Sequence, residues 1–117
     1  PILPLGTLVE LDRELLPEEL VSEMEKAKVP FMAMIMGRRL LSEPDDREYI
    51  DYLASIYPYG LRLDVDPLFI PSYLISRVIQ EGYSDSLDQT YVDQQYRRDY
   101  FQHNILSMTH SIEGGDR

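Results

Sequence analysis

Residues 86–112 contain neither glycine nor proline, and through them Leu87, Tyr91, Val92, Tyr96, Tyr100, Phe101, Ile105, Met108 and Ile112 recur mostly three and four apart. That is the period of one face of an α-helix, not the alternation of a strand. Ser84 or Ser86 offers an N-cap, and Asp85 and Asp88 sit near the positive end of the helix dipole. At ~1.5 Å per residue such a helix reaches roughly 40 Å, longer than the body of one small domain, so part of it is expected to project. A chain with this feature at its end and different patterning ahead of it belongs to a mixed class.

The patterning ahead is that of strands. In residues 3–11, Leu5, Thr7, Val9 and Leu11 alternate with Gly6, Leu8 and Glu10, which predicts a first strand. Residues 17–27 then carry Pro17 and two glutamates early, Leu20, Val21 and Met24 along one face, and lysines late, the charge order of a short amphipathic helix. Between Pro30 and Gly37 lie six apolar residues, FMAMIM, too few for a buried helix and suited to a strand covered on both faces. Met32, Met34 and Met36 are then expected to fill the core, with Gly37 ending the strand; a methionine-lined groove for a partner is the alternative. Residues 42–48 read as a loop. Residues 49–57 fit both periods, and their aromatic and β-branched content favours a strand closed by Pro58 and Gly60. Residues 61–71 look irregular, and residues 72–83 read as a helical turn followed by a strand over 78–83.

The expected fold class is α+β: a small, mostly antiparallel β-sheet with a short inserted helix and a long C-terminal amphipathic helix. Its organisation is an α+β core over residues 1–85 and a C-terminal helix with its tail, residues 86–117, in the same domain, as befits a chain of 117 residues.

Composition narrows function by exclusion. Eleven Lys and Arg face 21 Asp and Glu, a net charge of −10 that repels nucleic-acid backbones and anionic lipid. No apolar run approaches the ~18 residues that span a bilayer, and the start, PILPLGTLVEL, lacks the features of a signal peptide. A cytoplasmic protein with no nucleic-acid or membrane partner is the expectation. There is no cysteine, so no disulfide, thiolate nucleophile or cysteine zinc site.

No catalytic or metal signature stands out either. His103 and His110 are seven apart, about two turns along a helix, not the one-turn spacing of a zinc pair. Asp64 and Asp66 lack the glycine and closing glutamate of a calcium loop and read as turn residues ahead of Pro67. The Gly37, Arg38, Arg39 triplet can receive an anion but has many acids nearby to pair with. No nucleophile elbow, P-loop or dinucleotide fingerprint occurs, so no enzyme, cofactor or metal is expected. What remains is the tyrosine-rich helical stripe. Tyr91, Tyr96, Tyr100, Phe101, Ile105, Met108 and Ile112 are the candidate partner-binding residues, since tyrosine covers apolar surface while its hydroxyl stays wet.

Four ordered blocks carry a family resemblance: Leu3, Pro4, Leu5 and Gly6; Ile35, Met36, Gly37 and Arg38; Asp51, Tyr52, Tyr57, Pro58 and Gly60; and Ile75, Val78, Glu81, Gly82 and Tyr83. In that order they resemble a family of small, uncharacterised-domain proteins of Gram-positive bacteria encoded beside type VII secretion loci, near WXG-like helical hairpin proteins and LXG toxins. The resemblance spans residues 3–88 and departs from the family in the acidic stretch 12–29 and the long terminal helix. It implies a non-enzymatic accessory role, an adaptor or chaperone for a secreted helical or LXG-type toxin protein, and brings no catalytic residues. An acidic immunity protein against a toxin domain is the alternative, and self-association through the terminal helix would use the same stripe.

Overall fold

The computed structural model describes residues 2–40, 48–103 and 106–107. Strand β1 (Leu8–Leu11) is shorter than its alternating pattern suggests, because Gly6 adopts φ +84° and the Thr7 N–H and hydroxyl both donate to the Pro4 carbonyl. A turn therefore replaces the first half of the expected strand. Thr7, Val9 and Leu11 are buried, as alternation predicts, while Leu5 on the far side of the turn is exposed.

Helix α1 (Glu18–Ala27) forms where Pro17 and the early glutamates place it, burying Val21 and Met24. Lys28 stops it in the left-handed conformation, φ 60°, and the Lys28 and Val29 N–H groups donate to Glu25 and Met24 carbonyls. Strands β2 (Met32–Leu40), β3 (Glu48–Ile56), β4 (Leu68–Ile70) and β5 (Ile75–Gln80) follow, then α2 (Ser86–His103) and the two-residue β6 (Leu106–Ser107). The order is β4-β3-β2-β1-β5 with every neighbouring pair antiparallel, and β6 runs parallel to the start of β3. The class is thus α+β with a five-stranded antiparallel sheet and two helices.

Only Pro71 and the 3-10 turn Ser72–Leu74 link β4 on one edge to β5 on the other. Four inter-strand gaps in a flat sheet span ~19 Å. A link of this length, mostly 3-10, reaches about 13 Å. The sheet must therefore curl, and it encloses one face. That inner face holds Val9, Leu11, Ala33, Ile35, Tyr52, Ala54 and Ile70, closed by Leu16, Val21 and Leu74 from the connections. Two polar ties seal it: Leu3 N–H donates to the Tyr52 hydroxyl (3.0 Å), and Gly82 N–H donates to Thr7 Oγ1 (3.0 Å).

The methionine run is the main correction. Its strand is covered on one face only: Ala33 and Ile35 are buried, Met34 and Met36 are exposed on the outer face, and Met32 is half-buried. Small and branched residues took the crowded inner positions, and six apolar letters in a row conceal that alternation. Nor does Gly37 end the strand, which continues to Leu40. Ile35 pairs with Ala54 but Gly37 with Leu53, so Met36 is an extra residue, a β-bulge that shifts the phase of everything after it.

Three smaller differences follow from pairing. β5 begins at Ile75 rather than Val78 because β1 offers partners from Leu11 onward. It ends at Gln80, and Gly82 beyond it lies so close to the backbone of Leu5 and Gly6 that any side chain there would strike it. Within residues 61–71, expected to be irregular, Arg62 and Val65 form an isolated bridge and Leu68–Ile70 form β4. Residues 49–57 do form a strand, and residues 42–47 lie outside the described residues. The long helix is present from Ser86 to His103, about 27 Å. It does not continue to Ile112 as one helix, since Leu106–Ser107 pair with β3.

Candidate functional site

The bulge at Met36 decides where Arg38 points. Without the extra residue, inward positions on β2 would continue through 37 and 39; with it, Arg38 faces inward opposite the buried Tyr52. Its guanidinium, on a side chain only 5% exposed, donates to the Asp88 carboxylate through both terminal nitrogens: Nη2 to Oδ1 at 2.8 Å and Nη1 to Oδ2 at 3.3 Å. A buried arginine needs such a planar, two-point acceptor, because an unpaired charge there is strongly unfavourable.

Asp88 lies in the first turn of α2, and the local sequence prepares it. The N-cap is Asp85, not either neighbouring serine: its Oδ1 accepts from the Asp88 N–H (3.0 Å) and its carbonyl from Gln89 N–H (3.0 Å). The Tyr83 hydroxyl donates to Asp85 Oδ2 (3.1 Å), and the Ser84 hydroxyl donates to Asp88 Oδ2 (2.9 Å). Hydrogen bonds from Arg38 first, and then from Ser84, hold the Asp88 carboxyl below the usual aspartate range.

This clasp fixes which face of α2 meets the sheet. Among the described side chains of α2, Asp88, Val92 and Gln95, spaced four and three apart, are the half-buried ones. Beside them a cleft of about 270 Å³ is lined by Ile2, Arg39, Ser84, Gln89 and Asp93. Leu87 (77% exposed) and Tyr91 (53%) point outward, and Tyr83 (82%) precedes them in the same spacing of four. Among the described side chains of α2, Asp88, Val92 and Gln95 thus turn toward the body, while the large apolar Leu87 and Tyr91 stay exposed. A second exposed apolar group, Met34, Met36 and Phe69, lies on the outer face of the sheet with Leu53 half-buried among them.

Of the candidate partner-binding residues, Tyr91 is therefore at the surface. Tyr96, Tyr100 and Phe101 belong to α2, but their side chains lie outside the described residues, as do Ile105, Met108 and Ile112 altogether. Val92, which the same pattern assigned to the stripe, turns toward the body instead. Asp64 is held by Arg62 in a two-point pair (2.8 and 2.6 Å) and Asp66 remains in the loop before β4. Among the described residues no three His, Asp or Glu side chains gather as a metal site would require, and no helix is long and apolar enough to cross a membrane. Sequence reasoning missed Arg38 as an inward residue, because a bulge leaves no sequence signal beyond a permissive glycine. Leu87, on the stripe that the sequence shows, and Tyr83 just before it were not among the candidate partner-binding residues, yet both are exposed like Tyr91.

A curled antiparallel sheet clasped through Arg38 and Asp88 to a helix whose Leu87 and Tyr91 are exposed defines a small α+β protein. The model of a domain of unknown function, DUF4176, matches residues 2–91, and the chain belongs to that family. The match includes the whole sheet core, Arg38 and Asp88. Neither the curated proteins nor the solved structures contain a match.

Proposed function

We propose that this protein is a non-enzymatic, protein-binding accessory factor, a cytoplasmic adaptor or chaperone for a secreted helical or LXG-type toxin protein of a type VII secretion locus. The observation that carries the binding role is the exposure of large apolar side chains on two surfaces, the α2 strip and the outer sheet face, in a chain otherwise strongly acidic. A catalytic role has less support, since the charged groups gathered at the candidate site, Arg38 and Asp88, satisfy one another. The secretion context rests on the resemblance of the four sequence blocks.

The net charge of −10 favours a second reading, an immunity protein that neutralises a basic toxin domain by electrostatic complementarity. Co-purification separates the two. The tagged chain is tested against the helical N-terminal half and the toxic C-terminal half of the neighbouring secreted protein. Retention of the helical half alone is expected; retention of the toxic half alone makes this an immunity protein, and retention of neither overturns both.

A further inference from the structure

We draw no further inference here: the strongest candidate, the outer face of the sheet where Met34, Met36 and Phe69 are exposed with Leu53 half-buried beside them, carries none, because nothing in the structure shows what covers it.

Discussion

Replacing Asp88 with asparagine keeps the size of the side chain and removes its charge, which leaves the Arg38 guanidinium enclosed without a counter-ion. Breaking a buried pair by deleting one partner costs about 3–5 kcal/mol. Here Arg38 is 5% exposed but Asp88 is 22% exposed, so water reaches the carboxylate side of the pair. The low end applies, and asparagine still accepts one hydrogen bond, giving about 2–3 kcal/mol. Urea unfolding should show a midpoint about 1–2 M lower at unchanged slope. The melting temperature should fall by roughly 6–15 °C. Because the folded carboxyl sits below its ordinary range, the unfolded chain takes up the proton first as the pH drops. The stabilisation is therefore complete above about pH 4 and is lost as the pH falls through the lower folded value. The gap between parent and Asp88→Asn should close on going from pH 7 toward pH 3. An Arg38→Met/Asp88→Leu pair, which leaves no buried charge, should recover at least half of the loss. The reasoning is refuted if Asp88→Asn unfolds at the parental midpoint and amide exchange in the first turns of α2 is unchanged.

Glycine substitutions separate collision from conformational strain. Gly82→Ala drives a methyl into the Leu5 and Gly6 backbone and should cost more than ~3 kcal/mol or prevent folding, whereas Gly6→Ala meets no atom and should lose only ~1 kcal/mol from its φ of +84°; thermal melts of both give the order. On β2, Ile35→Ala should cost about 2–4 kcal/mol while Met34→Ser, on the outer face, stays within ~0.5 kcal/mol, and the opposite ranking in urea would mean the faces are exchanged. Burial raises the Tyr52 hydroxyl above the ordinary tyrosine value. The unfolded chain then ionises first, so stability should drop as the pH rises past about 10, and Tyr52→Phe should reduce that drop.

The local elements were legible where one residue type has one physical role. Pro17 with early glutamates and late lysines placed α1, the ratio of aromatic and β-branched residues favoured β3, and an uninterrupted period near 3.6 announced α2 from its first turn. These are short-range preferences of backbone and dipole, and they need no partner to act. Orientation was different. Whether Met34 or Ile35 faces the core depends on which side of the strand the curled sheet closes, and Met36 changes that phase within the strand by being left unpaired. The same bulge turns Arg38 inward, where it meets a carboxylate 50 positions later in the chain. That one contact ties the first turn of α2 to the sheet with Leu87 and Tyr91 exposed, a choice of face that periodicity alone assigns equally well to a core or to a partner. The sequence by itself determined the elements and their chemical inventory; only the tertiary structure decided which faces are hidden, because burial is settled by distant neighbours, and a buried charge follows its partner.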